Sequence, residues 1–136
     1  MIGILTKVEV VMKKILWLLV ALPGVLFLTI GLRWLVAPEG VAAELGMPLL
    51  DGVGRSAQIG DMGAFVLALG LFIICALTTA KRVWYYPAIA LLGLAALSRT
   101  VAWLFHGAPL VVDAIVPEVL ISLLLLFAST RLAEQD

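Results

Sequence analysis

Cysteine and histidine each occur once in this chain, and charged residues fill only 13% of its 136 positions. A lone cysteine, Cys75, excludes an intramolecular disulfide, and its place in the middle of an apolar run suits a small packed hydrophobe. With His106 as the only imidazole, and with Ser56, Ser98 and Ser122 outside any nucleophile-elbow context, no signature of nucleophilic catalysis is present. Gly52-Val53-Gly54 lacks the lysine and the preceding strand of a phosphate loop. A formal net charge of zero gives no electrostatic footprint for nucleic acid. These absences favour binding or docking over catalysis. Neither a catalytic residue nor a metal-ligand set can be nominated. A cation held by His106, Asp61 and Glu118 is disfavoured because Arg99 would stand beside it.

What the chain has in abundance is apolar length. Hydrophobic residues make up 64% of it, more than a soluble domain of this size keeps in solution, so lipid is the implied solvent. Four stretches, about 15–35, 59–80, 83–105 and 110–130, are long enough to cross a hydrocarbon core about 30 Å thick at about 1.5 Å per residue. An open sheet cannot satisfy its backbone in lipid, so all four are read as helices. The expected fold is an all-α, four-helix transmembrane bundle forming one integral membrane domain over residues 1–136. No internal repeat or long linker interrupts it. A cleaved signal peptide is the competing reading of the first stretch. Its length and the interruption by Arg33-Trp34 before Val41-Ala42-Ala43 weigh against cleavage.

Positive charge orients the bundle. The side shared by both termini carries Lys7, Lys13, Lys14, Lys81, Arg82 and Arg131, against Arg33 and Arg55 in the opposite loops, so both termini are expected to be cytoplasmic. Trp17, Trp84, Tyr85 and Tyr86 fall at the predicted inner interface, Trp34 and Trp103 near the outer one. Between the first and second spans, Pro38 and Gly46 bracket Val41-Ala42-Ala43-Glu44-Leu45, which predicts a short interfacial helix. The turn-rich Met47–Gly54 segment after it is a connector or a lid.

A few ionisable residues fall inside the spans, and depth gathers them. Counting rise per residue from Arg55, His106 and Asp113 puts Asp61, Arg99 and Glu118 at nearly one level, roughly 7–10 Å below the outer surface. An unpaired charge there costs roughly 2.5–3.5 kcal/mol, so pairing is expected. Arg55 and Arg99 balance Asp61 and Glu118, and the planar guanidinium of Arg99 can bridge two carboxylates. Ser122 shares a helical face with Glu118, whereas His106 lies seven residues beyond Arg99 at the mouth of the predicted pocket. Trp103 and Phe65 are its predicted apolar walls. A staple that only joins helices is the alternative use of the same charges.

Arg55-Ser56-Ala57-Gln58-Ile59-Gly60 entering the second span, Arg99 in the third, His106-Gly107-Ala108-Pro109 after it and Glu118 in the fourth carry a family likeness. The chain resembles the bacterial family catalogued as domain of unknown function 4345, and through it the wider DoxX-like group of small four-helix membrane proteins. The likeness covers nearly the whole chain through single residues at loose spacing. His106 stands where that family more often has an acidic residue, and Asp61 where a small residue is common. The resemblance implies a bacterial inner-membrane (plasma membrane) location and, because the DoxX-like group includes a subunit of a quinone-reducing enzyme, a quinone or another amphiphile as ligand.

The expected function is therefore an outward-facing polar pocket that binds a small amphiphile, quinone or lipid, or docks a partner subunit. A subunit of a quinone-linked oxidoreductase is one alternative, weakened by the lack of cofactor ligands. A small dimeric transporter is another, though its acidic residues would be expected at the midplane and here lie near one face. A purely structural bundle is the last. Beyond the bilayer itself, the expected partners are a homodimeric copy or a membrane subunit.

Overall fold

The computed structural model describes residues 1–134, and these form helices joined by short turns, with no strand among them. Helix α1 runs from Ile2 to Val36, and the short α2 from Pro38 to Glu44. Helix α3, Gly52–Ala57, continues through one wide π turn, Gln58–Met62, into α4, Gly63–Thr79. After a 3-10 turn at Arg82–Trp84 come α5, Tyr85–His106, and α6, Val112–Arg131. Four of the resulting rods are long and apolar enough to cross a membrane, which makes this an all-α, four-span bundle of the predicted class.

Glycine sets the closest approach in the bundle. On α1, Gly24 and Gly31 are seven residues apart and both face α4; on α4, Gly63 and Gly70 repeat that spacing toward α1. Each glycine meets a larger residue across the seam: Gly24 meets Ile73, Gly31 meets Leu67, Gly63 meets Trp34, and Gly70 meets Leu28. A Cβ on Gly31 would lie 2.6 Å from the Leu67 Cα, so only a residue without a side chain lets the two backbones come this near. In lipid, where burying carbon against carbon brings little gain over acyl chains, such close packing is what holds helices together.

Most buried apolar residues fall into two clusters. Leu16, Val20, Leu69, Ile73, Ala76, Tyr85, Ala88, Leu92, Leu125 and Ala128 draw all four long helices into one core at the end that carries Lys13, Lys14, Lys81, Arg82 and Arg131, called here the basic end. The second group, Trp34, Val41 and Ala42, belongs to α1 and α2 at the far end. There α2 and the chain after it lie over the α1–α4 seam like a cap. Beyond Ala96 in α5 and before Leu125 in α6 no residue is buried, so the α5–α6 hairpin stands apart from the rest at its far end.

The helix boundaries differ from the predicted spans most at the N-terminal side. Lys13 and Lys14 read as the start of a span at residue 15, yet α1 is helical from Ile2 and 35 residues long, about 52 Å. Charged residues mark where hydrocarbon ends; they do not end a helix, and the i,i+4 pair Glu9–Lys13 at 3.3 Å favours its continuation.

Candidate functional site

Arg99 and Glu118 face one another across the α5–α6 hairpin. The Nε–H of Arg99 donates to Oε1 of Glu118 at 3.0 Å. Seven-residue and four-residue spacings then decide what surrounds them: Trp103 and His106 share the face of Arg99 on α5, and Ser122 lies one turn below Glu118 on α6. The two partners differ in setting. The Glu118 side chain is only 15% exposed, while that of Arg99 is 43% exposed and lies toward the open side of the hairpin.

The polar groups of this pair are far from satisfied. Among the described residues, Arg99 makes one side-chain hydrogen bond, leaving the four N–H donors on its two terminal nitrogens without a protein acceptor. Oε2 of Glu118 and Oγ of Ser122 are both buried and have no hydrogen-bond partner among the described residues. Pro117, inside α6 and just before Glu118, has no N–H to give to the Asp113 carbonyl, which opens a further acceptor one turn above. In an apolar surrounding each unmatched group of this kind costs of order 1–3 kcal/mol, so several within one patch ask for a polar visitor.

The other predicted members are placed elsewhere. Asp61 is exposed on the π turn, with neither an ion pair nor a side-chain hydrogen bond among the described residues, so the bridge expected from Arg99 to two carboxylates reaches Glu118 alone. Gly63 and Gly70 turn one face of α4 onto α1, and Asp61, two residues before Gly63, falls on roughly the opposite side. Arg55 is engaged locally: Nε donates to the Leu50 carbonyl at 2.9 Å, and a terminal nitrogen lies 2.8 Å from Asp51. Phe65 is half-buried on α4, and Trp103 and His106 are exposed on α5. No group of three or more His, Cys, Asp or Glu residues able to hold a metal occurs among the described residues.

Two residues that sequence reading passed over organise the far end. Gln58 is buried in the π turn; its Oε1 accepts from the Leu50 N–H at 2.7 Å and its Nε2 donates to the Pro48 carbonyl at 3.0 Å. A buried amide at the head of a span was the available signal, since only an irregular backbone nearby could use both its donor and its acceptor. Arg33 grips Glu44 with two hydrogen bonds of 2.9 and 2.6 Å, fixing α2 to the end of α1. That contact holds the Glu44 carboxyl below its ordinary range. The Met47–Asp51 chain is therefore tied down at several points. The chain matches no family model, no curated protein and no solved structure.

Proposed function

We propose that the α5–α6 hairpin is a recognition face for the polar head of a small amphiphile embedded in the bilayer. The observation that carries this reading is the cluster of unused groups at Arg99, Glu118 and Ser122 within spanning helices. A head group with anionic or carbonyl oxygens would accept from the terminal nitrogens of Arg99, whose side chain is the exposed partner, while Glu118 behind it holds the guanidinium in place. Its tail would lie along the apolar face that Trp103 begins, with His106 at the mouth. Quinones and lipids both have this build. The resemblance to the DoxX-like group makes a quinone the first to try. A partner subunit presenting a carboxylate in the membrane is the second reading, favoured by the openness of the hairpin at this end.

In this proposal the site opens toward the outer leaflet of a bacterial inner membrane, with both chain ends cytoplasmic. Topology reporters joined beyond α6 and inserted near Gly107 should then report opposite sides. Arg99→Lys is the test of the site itself. It keeps the charge and loses the planar fork, so a quinone or lipid retained through native mass spectrometry should be lost while thermal stability holds. Full retention in the folded Arg99→Lys protein, or loss only in step with unfolding, would count against a ligand site and leave a helix staple.

A further inference from the structure

The register of the α1–α4 seam defines how far α1 overshoots. Gly24 lies against Ile73, and Leu28 against Gly70; continued down the antiparallel pair, this spacing sets Ala80 beside about Trp17. Residues 2–15 of α1 thus project past the last turn of α4 by about 20 Å at about 1.5 Å per residue. No residue before Leu16 is buried.

This projecting segment is amphipathic. Ile4, Leu5, Val8, Val11, Met12 and Ile15 recur at helical spacing on one side and are 38–68% exposed. The opposite side carries Thr6, Glu9 and Lys13, the last two paired with each other at 3.3 Å, with Ile2 and Val10 as its apolar members. Lys7 and Lys14, seven residues apart, run along one flank of the stripe with no ion-pair partner among the described residues. Three lysines against one glutamate leave the segment positive.

We propose that residues 2–15 are an arm that lies on the surface of an anionic phospholipid leaflet at the basic end, with its apolar stripe in the acyl boundary and Lys7 and Lys14 on the phosphates. Direction supports this as well as charge. The stripe runs on without a break into Leu18, Leu19 and Leu22, the lipid-facing side of α1, whereas Leu16 and Val20 face the core. Because α1 is continuous through residues 15–17, the arm reaches the surface by bending there, and when it swings outward from the bundle its lipid-facing side is the side that turns up against the membrane. Flanking lysines then sit at head-group depth, as on other helices that lie in the interface. A parallel pairing of two copies along the same stripe would instead set lysines beside apolar residues and use none of the positive charge.

The full-length protein, with Cys75→Ala, is reconstituted in phosphatidylcholine vesicles with and without phosphatidylglycerol and spin-labelled through Val8→Cys or Thr6→Cys. With the anionic lipid, the label at position 8 should be accessible to oxygen and shielded from a water-soluble nickel complex, and the label at position 6 the reverse. Omitting phosphatidylglycerol, or introducing Lys7→Gln or Lys14→Gln, should lower the ratio of membrane-bound to free arm, by about fivefold per lysine. Nickel access at position 8 on anionic vesicles overturns the proposal. So does spin–spin broadening at position 8 that grows with protein-to-lipid ratio, which would assign the stripe to a second copy. Positions 6, 7, 8 and 14 lie outside the bundle core, and every variant is compared with the Cys75→Ala protein, whose thermal stability is measured first because Cys75 is half-buried in α4.

Discussion

Arg99→Leu leaves Glu118 with both carboxylate oxygens unbonded in a site only 15% exposed. An uncompensated charge within a spanning helix costs roughly 2.5–3.5 kcal/mol on insertion scales, while polar contacts between membrane helices average about 0.6 and reach about 1.7 kcal/mol. The open side of Arg99, 43% exposed, puts the expected loss below the insertion figure, at about 2 kcal/mol. Glu118→Gln keeps an acceptor for Nε and should cost about 1 kcal/mol. Removing the charge from both partners relieves the orphaned carboxylate, so the double variant should be about 1 kcal/mol more stable than the sum of the single losses. Asp61→Asn serves as the internal control. Exposed and without a partner among the described residues, it should change stability by less than about 0.5 kcal/mol and add simply to Arg99→Leu. Equilibrium unfolding in mixed micelles of mild detergent and dodecyl sulfate, followed by tryptophan fluorescence, supplies all the terms of the cycle. Strict additivity of Arg99→Leu and Glu118→Gln would refute the pair. Coupling of Asp61 to Arg99 as strong as that of Glu118 would restore the three-residue bridge.

Gly70→Ala should destabilise the bundle by about 1–3 kcal/mol, because the new methyl group meets the backbone of Leu28, whereas Gly93→Ala, with nothing within 4 Å, should be neutral or stabilising by up to about 1 kcal/mol; the same unfolding assay compares them. Acid should loosen α2. The Glu44 carboxyl is held below its ordinary value of 4.5 by the hydrogen bonds from Arg33, so its contribution is in place above that value and fades as pH falls through the lower folded pKa. In a protein whose other tryptophans are phenylalanine, Trp34 beneath α2 should report this change, and Glu44→Gln should remove it; the same acid transition in both proteins would show that Glu44 is not its cause.

Much of this architecture was legible because lipid imposes so few solutions. Long apolar runs with few charges gave the spanning helices, and Pro38 and Gly46 marked α2 between them. The pairing of Arg99 with Glu118 was within reach of depth counting, since α5 and α6 are neighbours joined by a short turn and both charges lie near its end. Depth says nothing of azimuth. Asp61 shares a predicted level with Arg99, but the face it occupies is decided by the glycines at 63 and 70 and by the π turn at Gln58–Met62, and neither follows from hydropathy. Gly24 and Gly31 carried a readable seven-residue signal that matters only once the matching pair on α4 is set against it. The overshoot of α1 was hidden for a different reason: the same lysines that announce the membrane boundary sit on an uninterrupted helix.

The separation of the buried residues into a core at the basic end and a cap over α1 and α4 has a mechanical consequence. A bundle clamped across one leaflet and open across the other has two different cross-sections, and a change in lateral pressure does work only where the cross-section can change. Compressing the leaflet around Arg99 would drive the α5–α6 hairpin toward α4, and relaxing it would let them part, with the shared core acting as the pivot. Crowding of acyl chains around Arg99 would therefore change the bundle's shape more than the same crowding at the basic end.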